Sequence, residues 1–271
     1  MTMRIWHQSY TDLSELPGYR NMLTEHAKRV CSPGTQVDVH GVAPGTFPEG
    51  LSPVDVIAFN WPNQLVAGQI VENAMRAEKE GYDAMAISCF VDPGLEEVRS
   101  LVDIPVVSAC ETALLVSSAV GRAFGLLTLD DTMVHEVGKL VYRYGYQERV
   151  TEIVPLDPPL NEYHVEKAFA GSQEFVDDFT RQARQLVANG ADLIIPAENV
   201  LNICLVRNGV KDVEGTPVLD AYGALLGFAE MMVLLRERTG LQVTRTGAYA
   251  QPPRQLVEHL RKIGAGPVTH S

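Results

Sequence analysis

Two side chains suited to proton transfer, Cys89 and Glu198, each follow a short apolar run typical of a buried strand. Cys89 lies in GYDAMAISCFVDPG, which begins at Gly81, and Glu198 lies in GADLIIPAEN, which begins at Gly190. A thiol and a carboxyl group on opposite sides of a substrate can remove and return a proton at a carbon atom. We expect backbone N–H groups and a helix dipole to favour the thiolate of Cys89, and burial to raise the pKa of Glu198. The structural alternatives are a cysteine of the core and a glutamate that caps its own helix.

The elements that must position these residues alternate between strands and helices, which predicts an α/β fold with parallel sheets flanked by helices. In such sheets ligands bind at the carboxyl ends of the strands. The predicted strands are Arg4–Gln8, Gln36–Val42, Ala84–Ile87, Ile104–Val107, Ala123–Thr128, Val150–Leu156, the apolar run within 190–199, and Pro217–Leu219. The predicted helices are Leu16–Val30, Asn63–Gly81, LEEVRSLV, ALLVSSAV, one capped by Asp130, His164–Asn189, one from Val200, Ala221–Leu235 and Gln251–Ile263, and Ala43–Pro53 is predicted to be a loop.

Three pairs of segments indicate an internal repeat. The segment of Cys89 matches that of Glu198, DIPVVSACETALL matches GTPVLDAYGALL, and MRIWHQSYTDL matches GRAFGLLTLDD. The offset between the two reactive positions is 198 − 89 = 109 residues. We therefore predict two pseudo-symmetric lobes with these side chains facing each other across the cleft. The first lobe would comprise residues 1–115 and 221–271, and the second residues 116–220.

Composition limits the partners. The 271 residues suffice for two lobes of roughly 100–150 residues each. A net charge of −12 argues against nucleic acid or an anionic membrane as a partner. No apolar run approaches the ~18 residues of a membrane span, and the first residues lack the order of a secretion signal. The four cysteines form no CxxC pair, so we expect neither a metal site nor a disulfide framework, and a reducing, cytoplasmic location. GxGxxG and P-loop motifs are absent, so we expect cofactor-free chemistry.

The chain resembles the aspartate/glutamate racemase superfamily, specifically its hydantoin racemase branch, from the first strand to about Arg236. The resemblance is carried by MRI at the start, GYDAMAISCFVDPGLEEVRSLVDIPVV, ETALLVSSAVGRAFGLLT and GADLIIPAEN. It implies two pseudo-symmetric lobes with a proton-transferring cysteine in each, and Cys89 matches the first of these. Relatives isomerise maleate through a covalent cysteine adduct or decarboxylate arylmalonates. This sequence departs from the pattern at Glu198-Asn199, where the second cysteine and a small residue are expected, and at His7-Gln8-Ser9, which replaces an asparagine-rich loop.

Residues near the predicted strand ends are candidates for substrate binding. Polar residues at the end of the first predicted strand suggest contact with a substrate. The hydroxyl groups of Thr112 and Thr128 could stabilise a carbanion. Asn60 precedes Trp61 at a predicted lobe edge, where the aromatic ring could form a wall. The expected substrate-binding residues are His7, Gln8, Ser9, Asn60, Phe90, Val91, Thr112, Thr128 and Asn199.

Three functions fit these features, and each has a small molecule as partner. The first is a cofactor-independent racemase or epimerase of an amino-acid-like or hydantoin-like carbonyl compound, with Cys89 and Glu198 as the acid–base pair. The second is a hydrolase or lyase that opens an amide, imide or ring or decarboxylates its substrate, with Cys89 as nucleophile and Glu198 as general base. The third is a binding protein that keeps the cleft without the chemistry. Apolar helices such as Thr112–Val120 favour a homo-oligomer.

Overall fold

The computed structural model describes residues 2–168 and 173–264. Four parallel strands form its first sheet: β1 (Met3–Ser9), β2 (Thr35–His40), β3 (Ala84–Ser88) and β4 (Val106–Ser108). Their order is β2-β1-β3-β4. Every residue of β3 is buried, as expected for an apolar run that is covered on both faces.

The second sheet repeats this arrangement with β5 (Phe124–Thr128), β6 (Val150–Pro155) and β7 (Leu193–Pro196), in the order β6-β5-β7. Its strands are also parallel. Val218 forms a single parallel bridge with Ile194 of β7. It takes the place that β4 takes beside β3 in the first sheet. The two sheets therefore share one strand order, in agreement with the repeat found in the sequence.

The predicted strand Pro217–Leu219 is the main error among the strands. The chain instead forms a short antiparallel hairpin from β8 (Asp212–Val213) and β9 (Thr216–Pro217). Gly215, with a φ of 86°, occupies the turn that joins them. Val218 still bridges Ile194 of β7, and the N–H of Leu219 donates a 2.9 Å hydrogen bond to the Ile194 carbonyl, so the predicted segment lies beside β7 but pairs with it through a single bridge.

Helices flank both sheets, which confirms the predicted fold class. They are α1 (Pro17–Val30), α2 (Pro53–Ile57), α3 (Asn60–Lys79), α4 (Leu95–Leu101), α5 (Ala109–Ser117), α6 (Asp131–Arg143), α7 (Glu162–Ala168), α8 (Gln173–Ala188), α9 (Asn199–Arg207), α10 (Ala221–Thr239) and α11 (Arg254–Gly264), with a 3₁₀ turn at Gly247–Tyr249. None of the helices in the described part of the chain is long and apolar enough to cross a membrane.

Three helix predictions need correction. The short helix α2 was not predicted, and its start at Pro53 coincides with the end of the predicted loop. The helix α3 begins at Asn60 rather than Asn63. The single helix predicted over His164–Asn189 corresponds to two described helices, α7 and α8, and residues 169–172 of that prediction lie outside the described residues. The predicted cap of α6 is present, since the side chain of Asp130 accepts a hydrogen bond from the Met133 N–H.

The aspartate of each repeated Gly-x-Asp motif secures the start of a neighbouring strand. Asp83 accepts a hydrogen bond of 2.7 Å from the N–H of Arg4, in β1. Asp192 accepts bonds of 2.9 and 3.0 Å from the N–H groups of Arg122 and Ala123, which lead into β5. These carboxylates lie at the amino ends of the strands, so they build the sheets and leave the carboxyl ends open for chemistry.

The last long helix, α10, returns to the first sheet, where it packs on β3, β4 and α5, while α8 packs on β5 and β7. The contacts of α9 with α1 and α10, and of α5 with α6, join the two halves of the molecule. The proposed lobe boundaries near residues 115 and 220 stay a prediction.

Candidate active site

Cys89 and Glu198 lie at the carboxyl ends of equivalent strands in the two sheets. β3 ends at Ser88, directly before Cys89, and β7 ends two residues before Glu198. The side-chain amide of Asn199 donates a 2.7 Å hydrogen bond to the hydroxyl group of Ser88, although the two residues are 111 positions apart. This bond joins the end of β3 to the segment after β7. Cys89 follows Ser88 and Glu198 precedes Asn199, so the two reactive side chains lie in one enclosed region. Their exposed fractions are only 3% and 8%.

The surroundings of Cys89 favour the neutral thiol. Burial is the largest cause of a thiol pKa well above its usual range, and nearby carboxyl groups raise it further. The N–H of Val91 acts in the opposite direction but is outweighed. The expectation of a thiolate at this strand end is therefore wrong, because desolvation exceeds the stabilisation from backbone dipoles. The acidic neighbours are Glu198, Asp92 and Glu162.

The loop after Cys89 is held by Asp92, which was predicted from the sequence only as a turn residue. Its carboxylate accepts hydrogen bonds from the N–H groups of Cys110 (2.9 Å) and Glu111 (3.0 Å), at the start of α5. It also accepts a 2.7 Å bond from the hydroxyl group of Tyr144, which follows α6. Asp92 therefore fixes the loop of the thiol to helices that flank both sheets. Burial raises the pKa of Asp92 to about 6.

Glu198 is both a helix cap and a buried acid. Its carboxylate accepts a hydrogen bond from the N–H of Val200, in the first turn of α9. Burial raises its pKa to about 7, and the N–H groups of Val200 and Leu201 offset only part of that effect. The cap and the raised pKa that the sequence suggested as alternatives are thus both present. At neutral pH about half of these carboxyl groups carry a proton.

A third acid, Glu162, enters the same region from the start of α7. It is 2% exposed, and burial followed by the charge of Glu198 raises its pKa to about 8. One turn further on, Glu166 accepts hydrogen bonds from the N–H groups of Gly18 (2.6 Å) and Tyr19 (2.8 Å), at the start of α1. This contact holds α7 against the first half of the molecule.

Two tyrosines complete the cluster. Burial raises the pKa of Tyr10 above its usual range, and the charges of Cys89 and Glu162 add to that shift. Burial also raises the pKa of Tyr19, with a further contribution from Glu198. Neither these tyrosines nor Glu162 were predicted from the sequence as site residues. A tyrosine after a strand and a glutamate in a polar helix are ordinary features, so only the spatial contacts distinguish them.

Four of the predicted substrate-binding residues lie at the end of a strand or within three residues after it. Ser9 is paired in register with Ser88 at the adjacent ends of β1 and β3. Asn199 is fully buried, and its Oδ1 atom has no hydrogen-bond partner among the described residues. These four residues are Ser9, Phe90, Val91 and Asn199.

The contacts of His7 and Gln8 lie within the first half of the molecule. The His7 ring packs edge-on against Tyr222 of α10, with 5.4 Å between ring centroids. Burial lowers its pKa to about 3, so the ring is neutral. The Gln8 side-chain oxygen accepts hydrogen bonds of 3.0 Å from Trp6 and from Asn73. Adjacent residues of β1 point to opposite faces of the sheet, so the two side chains have different neighbours, and their role in substrate binding stays a prediction.

The other three candidates have no hydrogen bond to Cys89 or Glu198 within residues 2–168 and 173–264. Thr112 is buried in α5. The hydroxyl group of Thr128 donates a 3.2 Å bond to the backbone oxygen of Asp130 in its own half of the chain. Asn60 is exposed at the start of α3. A role for these residues in substrate binding stays a prediction.

Comparison with known proteins identifies the family. Residues 19–229 match the Asp/Glu/Hydantoin racemase family. The chain belongs to this family. The hydantoin racemase of Paenarthrobacter aurescens is 28% identical over 219 residues, which cover 78% of this chain and 87% of that protein. The resemblance inferred from the sequence is confirmed, and the chain is a racemase, that is, an isomerase; the hydrolase or lyase alternative is not favoured.

Solved structures of racemases share the fold. The allantoin racemase of Klebsiella pneumoniae superimposes with a TM-score of 0.77 at 21% identity, covering 93% of this chain and 95% of that one. The allantoin racemase of Pseudomonas fluorescens gives a TM-score of 0.73 at 21% identity, covering 92% and 97%. The observed pair of parallel sheets is therefore the two-domain fold of racemases in this family.

Proposed function

We propose that this racemase inverts the configuration at the C5 atom of a hydantoin-like ring, with Cys89 and Glu198 on opposite faces of the ring. The observation that carries the proposal is the Asn199–Ser88 hydrogen bond, which joins the two strand ends. The ring is suggested by the hydantoin and allantoin racemases among the similar proteins, since allantoin is itself a substituted hydantoin. The C5 proton lies beside a carbonyl group, so its removal gives an enolate.

The protonation states suit a two-sided transfer. Because the pKa of Glu198 is about 7 and that of Cys89 is well above its usual range, about half of the molecules at neutral pH hold a carboxylate opposite a neutral thiol. Glu198 removes the C5 proton from one face, and the Cys89 thiol returns a proton to the other face. The carboxylic acid and thiolate left behind then exchange protons with solvent. The reverse reaction uses the opposite forms. Both groups are side chains of the protein, so this step requires no cofactor.

The test measures inversion in deuterated water. The wild-type protein should convert one enantiomer of a 5-monosubstituted hydantoin into the other, with solvent deuterium at C5, faster than the spontaneous reaction in buffer. Cys89→Ala should reduce inversion about 10³-fold or more, because one face then lacks its proton donor. Cys31→Ala is the matched control, since Cys31 lies at the end of α1, outside the cluster. Inversion that persists in Cys89→Ala would refute the assignment.

We also propose that the protein is a cytoplasmic homo-oligomer. Large apolar side chains are exposed on α3 (Trp61, Leu65) and on α11 (Leu256, Leu260, Ile263). Contiguous exposed apolar surface is typical of sites where proteins associate. The four cysteines are free, which fits a reducing compartment. A single monomeric species in analytical ultracentrifugation would contradict the oligomer, and recovery in an extracytoplasmic cell fraction would contradict the location.

A further inference from the structure

The buried acid Glu162 takes no part in the proton transfer proposed above. Glu162 is 2% exposed, and its Oε2 atom has no hydrogen-bond partner among the described residues. A buried polar atom without a partner is costly unless a ligand or water satisfies it. Its electrostatic interactions with Cys89 and Glu198 place it in the same region as the reacting groups. An unpartnered oxygen there is positioned to bind substrate.

The position of Glu162 is fixed by contacts on both sides. Glu166, one helical turn later, accepts two hydrogen bonds from the start of α1. On the other side, α7 packs against α9, the helix that Glu198 caps. The carboxyl group therefore comes from a segment held to both halves of the molecule, which orients it more strictly than a free loop would.

The largest charge effects on Glu162 are acidic. They come from Glu198 at the start of α9 and from Asp55 of α2, and Glu162 in turn raises the pKa of the neutral Cys89 thiol and of the neutral Tyr10 phenol. Tyr163 is its titratable neighbour on α7. The largest charge effects on Glu162 and on Cys89 all come from acidic side chains. A carboxylate ligand would lose its water here and gain no cation in exchange.

We propose that Glu162 binds the uncharged amide group of the substrate ring through Oε2, and that the site thereby selects neutral rings over molecules that carry a carboxylate. The proposal rests on the proposed function for the place of the ring between Cys89 and Glu198. It adds a residue that determines specificity and takes no proton from carbon.

The chemistry of the two groups is complementary. Because backbone N–H groups of Glu162 and Val54 already bond to the carboxyl group and Oε2 has no partner, a protonated Oε2 can donate its O–H to a C=O of a cyclic amide. Glu162 holds this form at neutral pH, because burial and the charge of Glu198 raise its pKa to about 8. When it ionises it loses the donor, so the affinity for a neutral ring should fall.

The experiment uses a ligand that cannot react. 5,5-Dimethylhydantoin has no C5 proton, so calorimetry measures binding apart from turnover, and 5-methylhydantoin-5-acetate is its carboxylate-bearing counterpart. The wild-type protein should bind the neutral ring at least about tenfold more tightly than the carboxylate. Glu162→Ala should weaken binding of the neutral ring about tenfold, and Glu162→Gln, which keeps a donor and an acceptor, should restore most of it. Glu174→Gln, an exposed change on α8, is the matched control.

The pH profile separates a binding role from a structural one. Between about pH 6.5 and about pH 8.5 the wild-type affinity should fall about fourfold more than that of Glu162→Gln, which cannot ionise at this position. Equal affinities and profiles in the wild-type protein and both Glu162 variants would overturn the proposal, as would tight binding of the carboxylate or no binding of the neutral ring. Binding that follows the expected pattern without inversion at C5 would support Glu162 and refute the proposed function.

Discussion

The ends of β3 and β7 are equivalent in topology but differ in their surroundings. After β3 a loop carries Cys89, and the next helix starts only at Leu95. After β7 the helix α9 starts at Asn199, so Glu198 is its cap. Hydrogen bonds of Asp92 fix the loop after β3, whereas the start of α9 is capped by the carboxylate of Glu198, the reactive residue itself. The repeat therefore preserves the position of a reactive group and leaves its acidity to local contacts.

This difference makes the proposed acid–base pair unequal. The pKa of Glu198 is about 7, while burial and acidic neighbours keep the pKa of the Cys89 thiol well above its usual range. One enantiomer meets a carboxylate that is ionised in about half of the molecules at neutral pH, and the other requires a thiolate that is scarce. Enantiomers have equal free energies, so kcat/KM must be the same in both directions. The difference between the two enantiomers should therefore appear as different kcat values and, in compensation, different KM values.

The largest expected effect comes from removing one side of the pair at a time. Glu198→Gln should lose inversion about 10³-fold or more, like Cys89→Ala, since each variant lacks the group on one face. Each should still exchange the C5 proton of one enantiomer with solvent deuterium without inverting it. The two variants should exchange the C5 proton of opposite enantiomers, because the base that remains lies on opposite faces of the ring. Chiral chromatography with mass spectrometry measures both quantities.

The same experiment can refute the two-sided arrangement. If both variants exchanged the C5 proton of the same enantiomer, Cys89 and Glu198 would lie on the same face of the ring. The two strand ends would then not supply an acid and a base on opposite sides of the substrate. The double variant Cys89→Ala, Glu198→Gln provides the background, and it should show only the spontaneous exchange of the hydantoin. The Cys31→Ala control should exchange and invert as the wild-type protein does.

A smaller effect concerns pH and stability. Glu198 and Glu162 have pKa values of about 7 and about 8 in the folded protein, above their ordinary values. At any pH between the ordinary and the raised pKa values, the folded protein therefore binds more protons than the unfolded chain. The free energy of unfolding should therefore rise as the pH falls from about 8 to about 5, by roughly 4 kcal/mol after the opposing contribution of buried His7, whose pKa is about 3. Asp92, with a pKa of about 6, should contribute in a lower window, between about pH 6 and about pH 4.

Urea unfolding at a series of pH values checks this prediction. Glu162→Gln removes one of the two acids near β7, so it should raise the stability at about pH 8.5 and flatten the upper part of the profile. It should leave the lower window unchanged, because Asp92 is intact. A wild-type stability that rises from about pH 6 to about pH 8.5 would mean that these acids are ionised in the folded protein and are stabilised there by other groups.

The sequence predicted the framework better than the site. Apolar runs, turn residues and repeated segments were sufficient for seven of the parallel strands, because such patterns depend on neighbours in the chain. Cys89 and Glu198 could be singled out because each follows one of these runs. Glu162 could not, since its burial depends on how α7 meets α1 and α9. The thiolate expectation for Cys89 failed for the same reason: its pKa is raised mainly by burial, which depends on how distant segments pack over the strand end.

The smallest expected effect tests the repeat at the other end of the strands. Asp83→Ala and Asp192→Ala each remove the carboxylate that secures β1 or β5. Asp192 accepts more hydrogen bonds, but those bonds are exposed, so water can replace it at a cost of roughly 0.5 kcal/mol. The Arg4 N–H bonded to Asp83 is partly buried, and leaving it unpaired should cost about 1–2 kcal/mol. Neither change should alter kcat or KM, because both lie at the amino ends of the sheets. A larger loss in Asp192→Ala, measured by urea unfolding, would show that the number of bonds outweighs burial.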